Sequence, residues 1–188
     1  MLKISVQDHD EQICILEAPL QLAIKNSDLF AMACEECTAE EDEIEFPLLG
    51  SIVTKDMMEK VIEYWHVVEK NPDAFEKPIS HFLKEDIQDF IKSGVPLHKY
   101  LEGEGIPPCE TEFIKDLEFM DTIRLEKVAI FLGCDRLEIL ASAWSAVLQC
   151  EDQSRSWILR EEFAIQPAES KPNDYRHYGA TLGKVVEH

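Results

Sequence analysis

The sequence contains no run of about twenty apolar residues, so no membrane-spanning helix is expected from it. Its longest apolar candidate, Ile139 to Leu148, is short and carries Ser142 and Ser145. Positive charge is scarce: 18 Lys and Arg stand against 38 Asp and Glu, a formal charge of −20. That balance repels phosphate, which argues against nucleic acids and anionic membrane surfaces as partners. The opening MLKISVQDHDEQ has one early lysine and no apolar run after it, so no secretory leader is expected. No internal repeat is evident. The histidines (His9, His66, His81, His98, His177, His188) form neither an HExxH motif nor a nucleophile–base signature. His66 is read as a favourable charge near a helix C-terminus.

Six cysteines are present: Cys14, Cys34, Cys37, Cys109, Cys134 and Cys150. With no mark of secretion, they are read as reduced thiols acting as small hydrophobes. CEEC, from Cys34 to Cys37, has the spacing of half a zinc site or of a redox pair. It lacks the second CxxC or paired histidines that a four-ligand site needs, and no βαβ context supports redox work. No metal and no cofactor are therefore expected. A cysteine hydrolase can be assembled from Cys109 or Cys134 only by assuming spatial neighbours, so the chain is read as not an enzyme.

Apolar residues make up 45% of the 188, enough for a core in one domain with a short appendage. KISV and QICIL flank the polar QDHDE and predict a hairpin. A helix is expected from Leu20 towards Lys25, and Ser27 with Asp28 offers cap chemistry for a second helix. The acidic Cys34 to Glu45 run is read as a solvated loop rather than a site for a basic partner. Ile44, Phe46 and Leu48 then alternate as a short edge strand. Thr54 suits the cap of a helix whose stripe is Met58, Val61, Ile62 and Trp65, ending near Asn71 and Pro72.

Residues 71–109 are broken by prolines and glycines. Within them one amphipathic helix is expected, capped by Ser80, carrying Phe82, Leu83, Ile87, Phe90 and Ile91, and stopped by Gly94. It either lies on the domain or is held out for a partner. Helical pattern resumes from Glu112. Leu125, Val128, Ala129 and Leu132 form one stripe ended by Gly133. Asp135 caps the next helix, with Leu137, Leu140, Ala141, Trp144 and Leu148. A third helix carries Trp157, Ile158, Leu159 and Phe163, and a polar tail follows Pro167. Strands and small helices first, helices last, predict an α+β fold.

Several segments, in order, resemble the Skp family, the S-phase-kinase-associated adaptors that link F-box proteins to cullins. Ile4, Val6, Gln7, Asp10 and Ile13 resemble the family's opening strands, and SDLFAM (Ser27 to Met32) the segment after its first helix. DMMEKVIEYWHVVEKNPD (Asp56 to Asp73), IPPCETEFIK (Ile106 to Lys115), VAIFLGCDRLEIL (Val128 to Leu140) and LREEFAI (Leu159 to Ile165) are similar to later family strings. The resemblance implies a BTB/POZ domain over 1–132 with a long insert at about 71–109. Over 133–166 it implies F-box-binding helices, with a tail over 167–188. The implied function is an SCF-type ubiquitin-ligase adaptor in cytoplasm and nucleus, with F-box proteins and a cullin as partners. On this resemblance the cullin-binding pair is Ile130 and Phe131, and the F-box-binding residues include Leu140, Trp144, Leu159, Phe163 and Ile165. A homodimer is expected when the chain is unpartnered. The alternative is a structural or self-associating BTB protein outside the ligase.

The chain departs from the family at three places. Ile130 replaces the polar member of the family's NY pair. The insert with its own helix replaces an acidic linker, and NDYRHYGATLGKVVEH replaces the acidic last helix. Apart from the resemblance, Phe131 falls off the core stripe and is expected at an interface, whereas the spacing of Trp144 with Leu140 and Leu148 favours the core.

Overall fold

A computed structural model describes residues 1–8, 12–35, 44–48, 52–75 and 87–162, with side chains as far as Asp152. The chain divides into two units, the first Met1–Asp152 and the second from Gln153 onward. The first is an α+β arrangement whose described residues form a sheet of three strands, with Leu2–Gln7 between Ile13–Ala18 and Ile44–Leu48.

The expected hairpin is present as β1 (Leu2–Gln7) and β2 (Ile13–Ala18), paired antiparallel with Ile4 opposite Leu16. β3 (Ile44–Leu48) pairs parallel to β1, with Ile4 opposite Phe46, and occupies an edge. Alternation decides the faces. Leu2, Ile4 and Val6 are fully buried, while Ile13, Ile15 and Glu17 point to solvent. The buried row passes to Phe30, whose ring meets Phe46 edge-on at 5.1 Å and Trp65 at 5.9 Å.

Two short helices follow the hairpin, α1 (Leu20–Asn26) and α2 (Asp28–Glu35). Ser27 between them is buried and caps α2: its hydroxyl accepts the Phe30 N–H at 3.4 Å. The same hydroxyl donates to the Leu132 carbonyl at 2.5 Å, and the Asp28 N–H donates to the Gly133 carbonyl at 3.1 Å. The long helix α3 (Lys55–Lys70) buries Met57, Met58, Val61, Tyr64, Trp65 and Val68 against this assembly. Thr54 stands at its N-cap as expected, but its hydroxyl bonds to the Asp56 carboxylate rather than to a backbone N–H.

The insert differs from expectation. Its described helix, α4, is only Ile87–Lys92; Ser80, Phe82 and Leu83 lie outside the described residues. Ile87 is buried, Phe90 and Ile91 pack on the core, and Phe90 meets Tyr100 at 5.4 Å, so this part lies on the domain. A helix arises where the sequence suggested only a break, α5 (His98–Gly103), and α6 (Pro108–Ile114) starts within the break, ahead of Glu112 where helical pattern was expected to resume. Pro108 opens α6 because the first helical residue needs no intrahelical N–H partner.

α7 (Phe119–Leu132) ends at Gly133 with φ of 64°, the left-handed conformation that favours glycine. α8 (Asp135–Glu162) is one helix where two were expected. Asp135 is its first helical residue rather than its cap; the Cys134 carbonyl, one residue earlier, accepts the Glu138 N–H. Described core runs from the sheet through α3 to the inward stripes of α7 and α8. No helix among the described residues is long and apolar enough to cross a membrane.

Candidate protein-docking surface

α7 has two apolar faces. Leu125, Val128, Ala129 and Leu132 are fully buried, as their spacing predicts. Outside that stripe, Met120, Ile123 and Ile130 share a side of the helix, interrupted by the exposed Lys127, with Phe119 and Phe131 beside its ends. Ile130 is 55% exposed and Phe131 46%, and Phe119 and Met120 are exposed as well. A helix with one apolar stripe needs only one packing partner; this one offers a second surface.

Local chemistry fixes the helix that carries this surface. At its start, the Arg124 guanidinium bridges Asp121 at 3.2 Å and Asp56 of α3 at 3.3 Å. At its end, Gly133 lies against Asp28 so closely that a Cβ there would come within 2.8 Å of the Asp28 Cβ. Along its side, the Ser142 hydroxyl of α8 donates to Glu126 at 2.5 Å. One turn after Glu126 lies Ile130 and one turn before Ser142 lies Ile139, which is exposed too.

The other expected contact residues fall differently. Leu140 is fully buried and Trp144 nearly so, because α8 turns the stripe from Leu137 to Trp144 inward. The Trp144 indole N–H donates to the Leu117 carbonyl at 3.1 Å, which holds the ring inside. Both side chains thus belong to the core of this chain, as the spacing of Trp144 with Leu140 and Leu148 favours. Leu159 lies within α8 but its side chain is outside the described residues, as are Phe163 and Ile165. Phe119, Met120, Ile123 and Ile139 were not picked out from the sequence, although the spacing from Met120 to Ile130 was available as a signal.

Between α3, α6 and α8 lies a buried ionic cluster that the sequence did not reveal. Glu110 of α6 is fully buried. Arg136 of α8 grips it from Nε at 2.9 Å and from its terminal amino group at 2.8 Å, and Tyr64 of α3 donates to the same carboxylate at 2.7 Å. Burial and the neighbouring Glu110 carboxylate push the Tyr64 phenol well above its ordinary range. Three helices are thereby held in one register around a paired charge.

The cysteines described are free thiols: Cys14, Cys34, Cys109, Cys134 and Cys150; Cys37 lies outside the described residues. Burial pushes the Cys134 thiol up to about 12, although the Trp65 indole and the Ser27 hydroxyl lie within hydrogen-bonding reach of it. The buried Trp65 N–H meets no nitrogen or oxygen acceptor among the described residues. Cys109 is also pushed up, by burial and then by Glu110. Both thiols are thus held in the protonated form, which is the poorer nucleophile. No group of three His, Cys, Asp or Glu among the described residues could hold a metal ion. A cleft of about 420 Å³ lies beside Lys25, Asp28, Tyr64 and Arg136, with charges of both signs in its wall.

No protein-family model matches this chain, and no curated protein matches it significantly.

Proposed function

We propose that the chain is a non-catalytic adaptor of BTB/POZ type that joins a cullin scaffold to F-box substrate receptors in an SCF-type ubiquitin ligase, in cytoplasm and nucleus. The observation that carries this reading is the second apolar face of α7, with Ile130 at 55% and Phe131 at 46% exposure. About half of each side chain is already buried, so covering the two together contributes about 1.5–3 kcal/mol that folding alone does not capture. Two adjacent anchors of this size are the kind that dominate an interface. The rigid mounting of α7 through Arg124, Glu126 and Gly133 suits a surface that must keep its shape before the partner arrives.

In this reading Ile130 and Phe131 contact the cullin by apolar contact alone, since isoleucine offers no side-chain hydrogen bond. F-box helices dock along α8 and beyond it, where Leu159, Phe163 and Ile165 are the resemblance-based contacts.

Affinity capture of the full chain tests the proposal. Recovery of a cullin with F-box proteins, lost on Ile130→Asp with Phe131→Asp while the circular dichroism spectrum stays unchanged, is the expected result. Capture that returns neither class removes the ligase role. A second reading, a self-associating protein of the same fold outside the ligase, is favoured by the open edge of the sheet.

A further inference from the structure

The two edges of the sheet are built differently. β3 carries Pro47, which cannot donate to another strand, beside the exposed Glu45. Those are the usual devices that protect a sheet edge. Among the described residues β2 occupies the opposite edge; it has six residues and contains neither proline nor lysine. It turns Ile13 and Ile15 to solvent at 63% and 58% exposure. A sheet edge of this kind is a template for another strand.

We propose that β2 pairs antiparallel with β2 of a second copy of this chain, making one six-stranded sheet across a two-fold axis. The strand is self-complementary about Ile15. In that register Ile15 faces its own copy, Cys14 faces Leu16 and Ile13 faces Glu17, so no like charges stand opposite each other. The isoleucines of both copies then line one exposed face, and Glu17 keeps Lys3 beside it on β1. A different extended peptide could use the same edge only by supplying its own match; the second copy supplies it by symmetry. The proposal rests on the strand edge and not on the adaptor reading.

Sedimentation of the full chain over a concentration series tests it. A reversible dimer is expected, and it tightens as salt rises because two chains of charge −20 are brought together. Ile13→Thr with Ile15→Thr keeps strand propensity but removes the apolar contact, and weakens association by about tenfold or more. Ile130→Asp with Phe131→Asp leaves association unchanged. Ile15→Cys tests the register: residues directly opposite lie within disulfide reach, so diamide gives a covalent dimer, whereas Ile13→Cys gives none above wild type. A chain that stays monomeric at every concentration overturns the proposal. So does a dimer that survives the isoleucine changes but is lost with Ile130 and Phe131, or an association that weakens with salt.

Discussion

Two regions of this molecule exchange the usual places of charge and oil. Between α3, α6 and α8, a glutamate is sealed from solvent against an arginine and a tyrosine. On the outer side of α7, isoleucine and phenylalanine face water. The comparison teaches what each region is for. A buried ion pair is weak support for stability, because desolvation offsets most of its attraction, but it sets one helix register over others. An exposed apolar stripe stabilises nothing until something covers it. The inner cluster fixes the helices; the outer stripe uses their fixed positions.

The sharpest way to break this contrast is to remove one member of the ionic cluster. Glu110→Ala leaves the Arg136 charge partly buried without its partner, and should lower unfolding free energy by about 3 kcal/mol in urea titration. Replacing Glu110 and Arg136 together by leucine and methionine should recover most of that loss, which separates the cost of an orphaned charge from the worth of the pair. A recovered double variant with several helix arrangements in its NMR spectrum would identify the cluster's role as register.

Next in size is Gly133→Ala. It forces a side chain into left-handed backbone and towards Asp28, and should cost about 2 kcal/mol by the same titration. An unchanged midpoint would show that the turn does not hold α7.

A smaller effect appears with pH. Burial pushes the Cys134 thiol up to about 12 in the folded chain, from an ordinary value of 9.0. Its folded pKa is raised, so its contribution to stability is complete below pH 9 and falls as pH rises towards 12. Relative to Cys134→Ser, the wild type should lose on the order of 1 kcal/mol between neutral pH and pH 10. Tyr64 acts with the same sign, from its ordinary value of 10.0 upward, and Tyr64→Phe should flatten that further decline.

The smallest change is expected on the outer stripe. Ile130→Ser and Phe131→Ser should each shift stability by no more than about 0.5 kcal/mol, because neither side chain supports the core. A loss several times larger would make Phe131 a folding residue and weaken the contrast.

The outer stripe was legible in the sequence only in part. Leu125, Val128, Ala129 and Leu132 announced the inward face of α7, and Ile130 and Phe131 fell visibly outside it. Met120 and Ile123 carried the same signal at the same spacing, but a helix usually has one stripe and they were not read as a second. The hairpin was plain from alternation, because a half-buried strand repeats every two residues. α5 was hidden by the short segment between Gly94 and Gly103. The start of α6 was hidden because Pro107 and Pro108 read as interruption, although proline at a helix start is favourable. Glu110 could not be placed: a glutamate after two prolines reads as solvent-facing, and its arginine lies 26 residues away. Local pattern reports which face is apolar, whereas a buried ion pair depends on how separate helices meet.

The bond from Ser27 to Leu132 spans 105 residues. On the ribosome, α2 is capped early, yet the carbonyl that completes its anchorage is added roughly 5 to 20 seconds later at ordinary elongation rates. Throughout that interval the N-terminal hairpin and α2 have no α7 to close against. Vectorial synthesis thus leaves the nascent chain's first third waiting for its last helices, a window in which a holding chaperone would find apolar residues such as Phe30 within reach.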